Sequence, residues 1–394
     1  MKFLRGLGLT LLSLLLFLSL SIFGLALLLN NTVLSPKFIT SELDRLDVSL
    51  LAEEIISEQI PEEEFPEELR AVLADTIPKV EPLLKEQVSA ATYSIFDYLL
   101  GKRESPDLAQ TLHNTLLSSD FIVSIVDELD IASLAGEIVS EQFAGEMPEE
   151  MEFMTEYLDD VIVELEPWIK EQIGVVADPV VGYLLGESQS LNVVIPMEPA
   201  MEIVRDSLRE ALLESPPAEF ADLPPSLLAQ QFDAFFQEFS EGMPSTFELD
   251  ESLLGTELRT EIASALAEAE GGLGEARQYV SYFQLGYKLL IGFIVLLILG
   301  IVLIHRRVKG ASRGLGITFL TYGVIWYVGT FVAKYFAGTQ MAQLDIPHYL
   351  EGWLPQFVDN FLAPLEMFSL GLLIGGVVLI VVSFVYPRWR QTSF

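Results

Sequence analysis

Apolar positions fall along this chain in two ways. Four runs are apolar on every side. Between the first and second lies a long stretch in which apolar residues recur at helical spacing among carboxylates. The apolar cores of the four runs extend from about Leu7 to Leu29, Leu285 to Ile304, Leu315 to Val332 and Met367 to Tyr386. Each is long enough to cross a hydrocarbon core of about 30 Å, none holds an acidic residue, and the one Lys or Arg among them is Lys288, near the start of the second. The pattern predicts four transmembrane helices, at 7–29, 285–305, 315–335 and 366–386.

Basic residues at the ends of these runs set an orientation. Lys2 and Arg5 precede the first. Arg306, Arg307, Lys309 and Arg313 fill the short loop between the second and third, and Arg388 and Arg390 follow the fourth. With four spans these three groups share one side, which the positive-inside rule makes cytoplasmic. Residues 1–6, 306–314 and 387–394 are then cytoplasmic, and 30–284 and 336–365 lie outside. The first run is expected to be retained. Its apolar length of about 22 residues exceeds the roughly 7–15 of a signal-peptide core, and no small-x-small cleavage site follows it.

The long stretch contains an internal repeat. LDVSLLAEEIISEQI at 46–60 and LDIASLAGEIVSEQF at 129–143 share nine of fifteen positions. EPLLKEQV at 81–88 is echoed by EPWIKEQI at 166–173, and YLLG at 98–101 by YLLG at 183–186. A third, degenerate copy is read from Ser226-Leu227-Leu228-Ala229, Glu257-Leu258-Arg259 and an expanded echo of YLLG at Tyr287–Gly292. The copies are drawn at about 38–117, 121–215 and 222–292, the last running into the second span. Within them Val48, Leu51 and Ile55, then Leu84, Val88, Ala91, Ile95 and Leu99, lie on single helical faces. The second copy keeps this in Ile131, Leu134 and Ile138 and in Ile169, Ile173, Val176, Val180 and Leu184. Pro66 and Pro148 suit first helical turns. Pro82 and Pro167 should kink or divide their helices, and Gly271-Gly272-Leu273-Gly274 should break one. No alternating run of strand length appears, so essentially no sheet is expected. The fold class is an all-α integral membrane protein carrying a large extracytoplasmic domain of helical repeats.

Charge sharpens the division. Residues 30–286 hold 53 of the 57 acidic residues and 12 of the 22 basic ones, a net charge of −41, while the remainder carries +6. Such a surface repels nucleic acid and anionic lipid heads and draws cations or basic partners. The chain has no cysteine, which excludes disulfides, thiolate metal sites and cysteine nucleophiles, and fits a prokaryotic envelope.

Catalytic constellations are missing. His113, His305 and His348 stand apart from one another in sequence, and metal sites need clustered ligands. No phosphate loop, His-Glu-x-x-His or nucleophile elbow is present. The clusters Glu62–Glu64, Glu149-Glu150 and Asp159-Asp160 read as solvated charge, because adjacent helical residues point apart. No cofactor is expected. Gly371 and Gly375 form a small-xxx-small pair for helix packing, with Gly314, Gly316, Gly323 and Gly329 in or beside the third span. Tyr349, Trp353, Phe357 and Phe361 recur at four-residue spacing. They serve either as aromatic anchors at the outer membrane surface or as packing under the acidic domain.

The reading that results is a non-enzymatic cell-envelope protein in contact with membrane lipid. Its acidic repeats bind a protein partner, a hydrophobic ligand, lipid or a surface polymer, or act as a scaffold. The alternative is a channel or transport accessory whose membrane bundle forms a homo-oligomer.

Overall fold

The computed structural model describes residues 2–58, 67–132, 158–214, 216, 220, 222–305, 308–341 and 347–389. It is 84% helical. In chain order the elements are α1 (Lys2–Asn31), α2 (Pro36–Arg45), α3 (Val48–Glu58), α4 (Glu67–Leu99), α5 (Leu108–His113), α6 (Ser119–Glu128), α7 (Leu158–Leu184), β1 (Asn192–Pro196), α8 (Glu198–Glu214), α9 (Pro225–Glu241), β2 (Thr246–Asp250), α10 (Glu251–Leu254), α11 (Thr256–His305), α12 (Val308–Met341), α13 (His348–Glu351) and α14 (Trp353–Trp389). They divide into two compact units. One holds residues 1–47, 92–106 and 272–394, the other 48–91 and 107–271.

In the first unit, α1, α11, α12 and α14 are each long and apolar enough to cross a membrane. Their shared core is Leu16 and Leu20 of α1, Ile294, Leu297 and Ile301 of α11, and Leu315 and Tyr322 of α12, with Phe368 and Leu372 of α14 against it. The opposite faces are bare. Leu303, Phe331 and Met367 are all more than 70% exposed, as lipid-facing side chains would be. Two buried hydroxyls are satisfied locally: Thr318 donates to the Gly314 carbonyl at 3.1 Å and Ser383 to that of Ile380 at 2.7 Å. Trp326 Nε1 donates to Ser21 Oγ at 3.1 Å, joining α12 to α1.

Glycine brings α12 and α14 into backbone contact. A Cβ on Gly316 would lie 3.0 Å from the Gly376 carbonyl oxygen, one on Gly323 2.6 Å from Leu373 N, and one on Gly376 2.5 Å from Leu320 N. Only a missing side chain permits so close an approach. The pair Gly371 and Gly375 is not at this contact, for a Cβ on either meets nothing within 4 Å. The helix turns Gly376, one residue further on, toward α12 instead.

In the second unit, Val161 of α7, Leu208 and Leu212 of α8, and Leu228, Phe232 and Phe236 of α9 form one core. Tyr183, Leu191 and Val193 form a smaller one, against which Val176, Val180 and Leu184 pack. Val193 belongs to a short antiparallel ribbon in which β1 pairs β2 from Asn192↔Asp250 to Pro196↔Thr246. The expectation of essentially no sheet overlooked this ribbon. Val193-Val194-Ile195 is its β-branched signal, too short to show alternation but able to pack one face on Tyr183.

Division of the helices at Pro82, Pro167 and the Gly271–Gly274 segment is absent. The helix α4 runs through Pro78 and Pro82, and α7 through Pro167 and Pro179. The helix α11 runs fifty residues through Gly271, Gly272 and Gly274. Helix formers on both sides, AEAE before and EAR after, offset glycine costs of about 1 kcal/mol each. Gly292 lies inside the same helix, so the echo of YLLG there is not a helix end. Pro66 and Pro148 lie outside the described residues.

Candidate functional site

A concave feature lies wholly within the second unit, between α8 and α9. On α8, Ala200, Leu208 and Leu212 are buried. The opposite side carries Glu198, Glu202, Asp206, Glu210 and Glu214, all exposed and each four residues from the last. Four residues advance a helix by a little more than one turn, so these carboxylates form a continuous stripe. On α9, Phe232 and Phe236 are buried and Asp233 and Gln237 are exposed. A groove of about 930 Å³ opens between the two helices. Its apolar lining is Met197, Met201, Phe236 and Met243, and its carboxylates are Glu198, Glu202, Asp206 and Asp233. Met197 N donates to the Ser245 carbonyl at 2.9 Å, and Met243, Pro244 and Ser245 complete the lining.

Two arginines sit on this surface and both are engaged. Arg205 donates to Asp206 at 2.8 Å from Nη2, with Glu202 at 3.6 Å. Arg209 Nε reaches across to Asp233 on α9 at 3.2 Å. Four carboxylates against two guanidinium groups leave the groove net negative. Its thioethers are unbranched and polarisable, able to repack against an apolar guest. Sequence reasoning missed this groove. The four-residue spacing of acids from Glu198 to Glu214, with Met197 and Met201 beside them, was the available signal. The wall supplied by α9 was not visible.

A second cluster surrounds His113. Its Nε2 lies 2.9 Å from Asp178 Oδ1 and its Nδ1 2.6 Å from Glu187 Oε2, and Ser119 Oγ approaches Asp178 at 3.4 Å. The hydrogen bond to Asp178 raises the imidazole pKa above its usual value. Burial opposes this and the Glu187 contact adds to it. Among the described residues no group of three or more His, Asp or Glu side chains is disposed to hold a metal ion. Its two carboxylate contacts join α5 to the end of α7.

The two YLLG segments end their helices alike. Gly101 and Gly186 take φ of 77° and 82°. Lys102 N donates to the Asp97 carbonyl and Glu187 N to that of Gly182, each at 2.8 Å, the Schellman arrangement. Arg277 lies 4.6 Å over the Tyr98 ring and donates to the Glu104 carbonyl at 2.8 Å. Arg259 lies 4.6 Å over Tyr183 and donates to that of Ser188 at 2.9 Å. The paired EP-x-x-KEQ segments also share an ion pair, Glu81 with Lys85 at 2.6 Å and Glu166 with Lys170 at 2.9 Å.

In the first unit, Trp353, Phe357 and Phe361 stack along α14, with neighbouring ring centroids 4.9 and 5.9 Å apart. Phe38 of α2 packs on Phe357 and Phe361. Trp353 Nε1 donates to the Glu42 carbonyl at 2.9 Å, and Asn360 to the buried Glu42 carboxylate at 2.9 Å. These aromatics thus hold α2, while Tyr349, half-buried on α13, has no ring contact in this stack. Lys334 of α12 pairs with Glu366 at 2.7 Å and Asp359 at 3.3 Å on α14, a cluster at the rim of the bundle that the apolar runs did not announce. The His305 ring lies over Gly310 and Gly314.

Of the orienting basic residues, Lys2 and Arg5 are on α1, Lys309 and Arg313 on α12, and Arg388 on α14. Arg306, Arg307 and Arg390 lie outside the described residues, as do Glu62–Glu64 and Glu149-Glu150.

Comparison with protein-family models, with curated proteins and with solved structures finds no match to this chain.

Proposed function

We propose that this chain is a non-enzymatic membrane protein of the cell envelope that presents an acidic helical unit for binding a basic partner. In this reading both termini are cytoplasmic, residues 30–284 lie outside, and residues 38–117 and 121–215 are copies of one module. The twin Gly101 and Gly186 helix ends, each with an arginine over its tyrosine, support the repeat. The apolar faces of α1, α11, α12 and α14 support membrane residence. The alternative, a channel or transport accessory, would need its path between copies of an oligomer, since Leu16, Leu297, Ile301 and Tyr322 pack together within one copy.

The groove between α8 and α9, net negative within a region of charge −41, is the observation that carries the binding role. The test is binding of the full-length protein, in zwitterionic nanodiscs, to immobilised lysine-rich and glutamate-rich peptides of equal length. Saturable retention on the lysine peptide alone, weakening as ionic strength rises, is the expected result. Equal retention on both peptides, or none on either, overturns the reading.

A further inference from the structure

We infer that the groove between α8 and α9 receives the apolar face of a basic amphipathic helix, its cationic residues set against the acidic stripe of α8. This rests on the basic-partner reading and adds the place and the shape of the guest.

The argument begins with length. From Glu198 to Arg209 the lining follows α8 for twelve residues, which at 1.5 Å per residue is about 18 Å, or three helical turns. A guest helix of similar length would lay three or four anchors into such a groove at i, i+3 or i+4, and i+7. The floor suits such anchors. Met197, Met201 and Met243 line it together with Phe236, and thioethers adapt to apolar side chains of differing shape.

Charge selects the sign of the guest. Glu198, Glu202 and Asp206 stand four residues apart along the wall. Lysine or arginine at the same spacing on a facing helix would meet them in register. Arg205 and Arg209 do not reverse this preference, because Asp206 and Asp233 already engage them. An acidic guest would face these carboxylates directly. A second copy of this unit would bring the same charge to the groove, which disfavours self-association as the occupant.

The test uses the full-length protein, labelled with methyl-¹³C methionine, in zwitterionic nanodiscs, with empty nanodiscs titrated in parallel. The probe is a lysine–leucine peptide of amphipathic helical pattern. Controls are its glutamate–leucine counterpart and a lysine–serine peptide of equal charge. The inference expects the Met197, Met201 and Met243 signals to shift saturably with the lysine–leucine peptide alone, while those of Met341 and Met367 stay in place. Met201→Lys and the charge reversal Glu202→Lys should each weaken binding about tenfold or more, and Glu171→Lys, outside the groove, by less than roughly twofold.

Basic peptides that bind while the three groove methionines stay unmoved would overturn the groove and spare the basic-partner reading. Equal affinity for the lysine–serine peptide would show that charge alone is read, and would also overturn it. Groove signals that move with protein concentration in the absence of peptide would assign the groove to a second copy. Absence of any basic-peptide binding would overturn both readings.

Discussion

Carboxylates stand at both ring nitrogens of His113, so the geometry is met when both nitrogens carry protons and donate. Its folded pKa is raised. The stability it contributes is therefore fully present below the unfolded value of about 6.5 and is lost as pH rises through the folded value. Thermal unfolding of the wild type should show a decline over that alkaline-going window, which His113→Asn removes while lowering stability at pH 6. A carboxylate behaves oppositely at Glu81. Burial works to raise its pKa, but hydrogen bonds from Lys85, from the Ser49 hydroxyl and from Val48 N outweigh it and hold it below the usual carboxylate range. Its contribution is present above about pH 4.5 and is lost as pH falls through the depressed value. Because Glu81 accepts from the first backbone N–H groups of α3, Glu81→Gln should cost about 1 kcal/mol at pH 7. In denaturant melts that difference should vanish toward pH 3, and a constant penalty across pH would refute the charge-based account.

Between elements, the contacts most sensitive to a single methyl group are glycine contacts. Gly323→Ala places a Cβ among the backbone atoms of Leu373, and Gly376→Ala does the same at Leu320. Each should destabilise the bundle by about 1–3 kcal/mol, read as a lower unfolding temperature in detergent. Gly371→Ala and Gly375→Ala meet open space and should be silent in the isolated chain. If all four variants behave alike, the α12–α14 contact described here is wrong. At the helix ends, Gly101→Ala and Gly186→Ala force an L side chain into the left-handed region and should cost roughly 1–2 kcal/mol each. The small-residue pattern pointed to helix packing and named Gly316 and Gly323 among its members. It could not say that the α14 partner is Gly376, because which face of α14 meets α12 depends on the rotation of both helices in the bundle.

The absence of cysteine makes the topology of the whole molecule directly testable. Single cysteines introduced at Ser105 and Ser190 should react with a membrane-impermeant maleimide in intact cells. One introduced at Lys309 should react only after the membrane is opened. The reverse pattern would invert the proposed orientation, and reaction of all three in intact cells would refute membrane crossing.

Sequence alone determined the four long apolar helices, because a continuous apolar run leaves few other fates in water or lipid. It also determined the helical class and the chemical kinship of the two YLLG ends. Local composition carries all of these. Tertiary structure decided which wall α8 shares with α9, that Met243 joins Met197 and Met201, that Trp353, Phe357 and Phe361 hold α2, and that carboxylates from two segments close on His113. Each of these depends on partners far apart along the chain, which no local stretch of sequence specifies.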